Sequence, residues 1–133
     1  MNLVDVVAML AVLQYVFFGG LVGRARGTYG VKAPAVTGHE SFERIYRVQV
    51  NTLELLVAFV PALYVAARYW SPHYIAAIGA VYLIGRLVYW RAYVSGSSRG
   101  LGFNLSMFPV FILVLAALVP AALGRSVAGK RSG

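Results

Sequence analysis

The chain has 133 residues, of which 60% are hydrophobic and only 12% charged, and its mean hydropathy of +0.74 lies outside the range of soluble domains. It contains no cysteine, which excludes a disulfide framework, a thiolate metal site and a cysteine nucleophile, so any thiol chemistry must arrive with a substrate. The formal charge of +8 is dispersed at the ends of apolar segments and forms no dense run that would track phosphates, so the basic residues point to membrane topology and no nucleic-acid partner is expected.

The first apolar segment, Leu3 to Val22, matches the length needed to cross a hydrocarbon core of about 30 Å, and predicts a helix over 2–23. It carries Asp5 where a signal peptide would be basic and has no small-residue cleavage site before Arg24, so it is expected to remain in the protein. Gly19 and Gly23 form a GxxxG pair that either admits a neighbouring backbone or simply loosens the helix end. Arg24 to Gly38 reads as a polar loop rich in Gly and Pro, with three cations and no anion. A second helix is predicted over 41–69, opened by a capping box of Thr37 and Glu40, bent at Pro61 and ending at the interfacial aromatics Tyr69 and Trp70.

Ser71 and Pro72 supply an N-cap and a first helical position, so a third helix over 73–94 should return antiparallel to the second. A short loop, Ser95 to Gly102, holds Arg99, and a fourth helix is predicted over 103–123, with Pro109 and Pro120 tolerated in a membrane setting. The expected fold is thus all-α: one domain over 1–124, an antiparallel up-down bundle of four transmembrane helices, followed by a basic, disordered tail over 125–133. Of the 12 Lys and Arg residues, eight (Arg24, Arg26, Lys32, Arg44, Arg47, Arg86, Arg91 and Arg99) fall on the side of the first and third loops and the remaining four on the other. The positive-inside rule therefore predicts both termini outside and both polar loops in the cytoplasm. His39 and His73 have no metal-ligand spacing and read as solvated interfacial residues, and no GxGxxG, Walker, HExxH or GxSxG pattern occurs.

Two polar stripes interrupt the apolar helices. In the stretch ERIYRVQVNTLELLVAFVP, residues Arg44, Arg47, Asn51 and Glu54 fall within about 80° on a helical wheel, while Gln49 points to nearly the opposite side. In the third helix Tyr82, Arg86, Tyr89 and Tyr93 fall within about 60°, with Arg91 elsewhere. Ionisable residues at membrane depth cost about 3 kcal/mol each on insertion scales, so such a cluster marks a functional site by default. The alternative is an internal network that pairs Glu54 with Arg86 and Glu43 with Arg47. Three arginines against one carboxylate on the combined patch predict a cationic surplus, suited to a small anionic ligand that also carries an ammonium group for Glu54.

The segments FERIYRVQVNTLE and VYLIGRLVYWRAY, the latter followed by a short loop with Arg99 three residues before Gly102-Phe103, resemble signatures of the membrane-associated proteins in eicosanoid and glutathione metabolism, the MAPEG family. The resemblance runs from about Gly23 through the fourth helix, and the pattern ERxxRxxxNxxE is specific among four-helix membrane proteins. It implies a homotrimer that binds glutathione, as co-substrate, between adjacent subunits near the cytosolic face, with a lipophilic second substrate entering from the bilayer and no metal. Carried over by residue, it assigns Arg47, Asn51, Glu54, Tyr89 and Tyr93 to glutathione binding from one subunit, with Arg86 on the same stripe, and Arg26 and Gln49 from the neighbouring subunit. Arg99 corresponds to the arginine that stabilises the glutathione thiolate. The chain departs from the leukotriene-forming members in a shorter loop before Arg99, in Leu55 where they have tyrosine, and in Gly27 where they have a second arginine. The resemblance therefore implies a glutathione transferase or peroxidase of bacterial type, in the inner membrane with its active site facing the cytoplasm. A non-catalytic lipid-binding scaffold of the same family and a small four-helix transporter are the alternatives; the latter would be expected to carry a carboxylate midway along the first helix, which offers only Asp5 near its mouth.

Overall fold

The computed structural model describes residues 2–95 and 100–125. Four helices follow in order, α1 (Leu3–Tyr29), α2 (Glu40–Tyr69), α3 (Pro72–Ser95) and α4 (Gly100–Ala122), and each is long and apolar enough to cross a membrane. Even the shortest, α4 with 23 residues, reaches about 35 Å at 1.5 Å per residue, beyond a hydrocarbon core of about 30 Å. The outer faces are apolar: Leu13, Val57, Phe108 and Leu118 are all exposed on the bundle surface. Water would not accept such a continuous surface, whereas lipid tails do.

Helices α2 and α3 form the central pair. Each touches α1 on one side and α4 on the other, and among the described residues α1 and α4 make no contact with each other. The core between them is built from α1 Val7, Ala8 and Ala11, α2 Phe59, Leu63 and Ala66, α3 Ile75 and Tyr82, and α4 Leu113 and Ala117. Phe59 stacks on Tyr82 with ring centroids 3.9 Å apart, which uses the Tyr82 ring as core material and removes it from the polar stripe.

Two helix starts and one helix end differ from the sequence expectation. Helix α1 does not stop near Gly23 but carries Arg24 and Arg26 within its last turns, because both are good helix formers and the chain first leaves the helix at Gly30. Gly30 adopts φ +69 and closes the helix with its N–H on the Arg26 carbonyl, a left-handed cap that glycine takes without a Cβ clash. The expected Thr37–Glu40 capping box does not form. His39 is the N-cap of α2, extended in backbone, with Nδ1 accepting the Ser41 N–H at 3.2 Å and its ring stacked on Tyr29. Helix α4 begins at Gly100, three residues before the expected start, since Gly102 is packed against α3 and is held in the first turn.

That packing sets the distance between α3 and α4. A Cβ on Gly85 would lie 2.6 Å from the Leu105 backbone, and one on Gly102 would lie 2.4 Å from the Tyr89 nitrogen. Only glycine permits so close a backbone approach, and Ser106, buried beside it, returns its hydroxyl to the Gly102 carbonyl. On the other side of the bundle the GxxxG pair divides: Gly19 is met by the Gln49 side chain, while a Cβ on Gly23 would meet nothing within 4 Å among the described residues.

Candidate functional site

The polar residues of α2 gather because 43, 47, 51 and 54 recur once per turn. Glu43, Arg47, Asn51 and Glu54 form one wall of a cleft of about 320 Å³, at the lower end of the volumes typical of small-molecule sites. Tyr89 and Tyr93 of α3 form the facing wall, and Val36 and Thr37 of the α1–α2 link close one end. The N-terminal half of α2 and the C-terminal end of α3 meet here because the two helices are antiparallel. From Glu54 to Tyr69 is about 22 Å of helix, so with Tyr69 at the far boundary of a core about 30 Å thick, Glu54 sits about 8 Å inside the near one. Arg47 lies two turns further out, at headgroup level. The cleft thus crosses from the interface into the edge of the hydrocarbon.

Five of the residues assigned to ligand binding, Arg47, Asn51, Glu54, Tyr89 and Tyr93, line this cleft together. Arg86 does not. It is fully buried behind the wall, where Nη1 donates to Asn51 Oδ1 at 2.8 Å and the guanidinium carbon stands 4.3 Å from the centre of the Tyr89 ring. Arg44 also turns away, to Glu40 one turn earlier on the same helix. Arg26 and Gln49 lie on the other side of α2. Arg26 donates to the carbonyls of Ala35 (2.7 Å) and Val31 (3.5 Å) and covers the Phe42 ring, which ties the polar link to the end of α1, and Gln49 packs on Gly19. Arg99 lies outside the described residues, as does the tail over 126–133.

The charge of the cleft differs from the sequence expectation in an informative way. Among the described residues one cation, Arg47, faces two carboxylates, Glu43 and Glu54, because Arg44 is engaged by Glu40 and Arg86 is withdrawn. Neither pair of the internal salt-bridge network forms: the ion pair among the described residues is Arg44–Glu40, and Glu43 accepts the Gly38 N–H instead. Sequence reasoning missed Glu43 as a lining residue. The signal was present, since 43 and 54 differ by about 20° on the helical wheel. Among the described residues of one chain, the cleft has the acceptor for an ammonium and a single exposed cation for an anion.

A family model for the MAPEG family matches residues 4–119, nearly the whole chain. The chain belongs to the MAPEG family. Among its relatives are an uncharacterized protein of Synechocystis sp., 46% identical over 114 residues (85% of this chain and 83% of the relative), leukotriene C4 synthase of Cavia porcellus, 41% identical over 130 residues (90% and 85%), and microsomal glutathione S-transferase 2 of Homo sapiens, 35% identical over 114 residues (85% and 78%). With four membrane-length helices and this membership, the protein is an integral, multi-pass membrane protein of the MAPEG family. The position at which leukotriene-forming members were expected to have tyrosine is here Leu55, which is buried in the hydrophobic core and does not line the cleft.

Proposed function

We propose that this MAPEG protein is a membrane-bound glutathione transferase, with lipid hydroperoxide reduction as its second activity, and that glutathione occupies the cleft between α2 and α3. The observation that carries this reading is the convergence of Arg47, Asn51, Glu54, Tyr89 and Tyr93 on one cleft at the membrane boundary, in a chain related to glutathione S-transferases. Glutathione is a zwitterion with two carboxylates. Glu54 suits its ammonium and Arg47 one carboxylate, and the tyrosines offer hydroxyls and ring faces along its length. Among the described residues a single chain offers one cation for the two carboxylates, which supports a homotrimer in which Arg26 and Gln49 of each subunit serve the cleft of the next. The excess of basic residues at this end of the bundle supports a cytoplasmic orientation in a bacterial inner membrane.

Arg99 is assigned to the thiol. A free thiol has a pKa of about 8.5, and lowering it by about two units requires about 2.7 kcal/mol of preferential stabilisation of the thiolate, within the reach of one guanidinium in a partly desolvated site. The thiolate sulfur then attacks an electrophilic carbon supplied from the bilayer, forming the S–C bond as the leaving group departs, the thiol proton having passed to water. With a hydroperoxide, two glutathione molecules give the disulfide, an alcohol and water. Proximity to an apolar electrophile concentrated in the adjoining lipid supplies the rest of the acceleration.

Purified protein in detergent, incubated with glutathione and chlorodinitrobenzene or a lipid hydroperoxide, should turn over at least one of the two and bind glutathione by calorimetry. Lipid binding without glutathione binding or turnover would replace this reading with the non-catalytic scaffold.

A further inference from the structure

Among the described residues Arg86 is the largest fully buried side chain, and nothing acidic is paired with it. From Pro72 it stands about 21 Å along α3, so it sits about 9 Å inside a core of about 30 Å. A guanidinium at that depth is costly, and in this chain it is fully buried and does not line the cleft. It touches Tyr89 on its own helix and, across on α2, Asn51 through a hydrogen bond of 2.8 Å.

That contact determines how Asn51 faces the cleft. An amide side chain has one acceptor end and one donor end, and in isolation either could face a ligand. A guanidinium has donors only and cannot lose its proton. The end of Asn51 that meets Arg86 must therefore be the carbonyl, and the NH₂ group is turned the other way, toward the cleft that Asn51 lines. The Tyr89 ring, 4.3 Å from the guanidinium carbon, holds the cation in place from the α3 side. Resting on the glutathione reading above, we propose that Arg86 is a positioning residue: it locks the Asn51 amide as a hydrogen-bond donor, so that the cleft selects a ligand carboxylate at this point, beside Arg47.

The lock has a directional consequence at each position. Asn51→Asp keeps the partner of Arg86 and forms an ion pair with it, so the fold is retained, but it removes the donor and adds a negative charge where the ligand carboxylate belongs. Arg86→Lys still offers only donors to Oδ1 and keeps the amide orientation. Arg86→Gln both donates and accepts and lets the amide turn over. The readout is glutathione affinity by calorimetry, alongside that of glutathione diethyl ester, in which both carboxylates are masked, for each detergent-purified protein that elutes as a single folded species. Wild type and Arg86→Lys should prefer the free acid to the diester by similar factors. In Arg86→Gln that preference should fall about tenfold, the loss of one charge-assisted hydrogen bond. In Asn51→Asp, which serves as the test if the Arg86 variants do not fold, the free acid should weaken by tenfold or more while the diester changes little.

A purely structural role for Arg86 would weaken both ligands equally and leave their ratio unchanged, and that result overturns the proposal. So does Asn51→Asp binding free glutathione as well as wild type or better, which would mean that Oδ1 faces the ligand. Wild-type protein that binds neither ligand would instead overturn the glutathione reading itself, and this inference with it.

Discussion

An alanine at Gly102 tests whether the contact between α3 and α4 positions the cleft. Its Cβ would lie 2.4 Å from the Tyr89 nitrogen, 2.5 Å from the Tyr89 Cα and 2.9 Å from the Tyr89 Cβ. Carbon atoms in good contact stand about 3.5–4.0 Å apart, so the two helices must part by about 1 Å at this level. Two of the three opposing atoms are backbone, and no rotamer change can relieve them. Overpacking of this kind costs about 1–3 kcal/mol, against about 0.5–1 kcal/mol gained from replacing glycine by alanine within a helix. With backbone opposing the new methyl the cost falls in the upper part of its range, about 2–3 kcal/mol, so Gly102→Ala should destabilise the protein by about 1–2.5 kcal/mol. The displacement falls on Tyr89, which lines the cleft and packs on Arg86. A shift of about 1 Å in a positioning group can cost about 100-fold, and glutathione affinity and turnover should fall by at least about tenfold. Gly23→Ala is the comparison, since a Cβ there meets nothing within 4 Å among the described residues. Thermal unfolding in detergent and calorimetry with glutathione report the two effects. Gly102→Ala with the melting temperature and affinity of the wild type would refute the claim that this contact sets the cleft.

Arg47→Ala and Glu54→Gln alter exposed residues that form no ion pair among the described residues, so each should weaken glutathione binding by about 10–100-fold while stability changes by less than about 0.5 kcal/mol. Unfolding of both, with normal binding by the surviving folded protein, would show that they serve the fold. Arg99→Ala should raise the pKa of bound glutathione, read from thiolate absorbance in the ultraviolet, and leave its affinity nearly intact; equal thiol pKa values in the two proteins would remove Arg99 from the mechanism. For topology, a cysteine introduced at Lys32, exposed in the α1–α2 link, should resist a membrane-impermeant thiol reagent in intact cells and react in inverted vesicles, and labelling in intact cells would reverse the orientation.

The four spans and the hairpin at Ser71-Pro72 were legible in the sequence because the signals are local: a run of apolar residues long enough for the bilayer, then a cap and a proline. The two polar stripes were legible for the same reason, since residues spaced at 3.6 share a helix face whatever lies opposite. That Arg47, Asn51 and Glu54 face Tyr89 and Tyr93 followed once α2 and α3 were read as antiparallel. Depth within a stripe was not legible. Arg44 and Arg86 fell on the predicted faces, yet one is turned to Glu40 and the other is sealed behind Asn51, while Glu43 joins the cleft. Those outcomes depend on how far each helix is rotated and how closely it approaches its neighbour. The approach is set by contacts between residues remote in sequence, such as Gly102 on Tyr89 and Gln49 on Gly19. A wheel assigns a direction from one helix axis; only the packed bundle decides whether that direction ends in a cleft, in lipid or against another side chain.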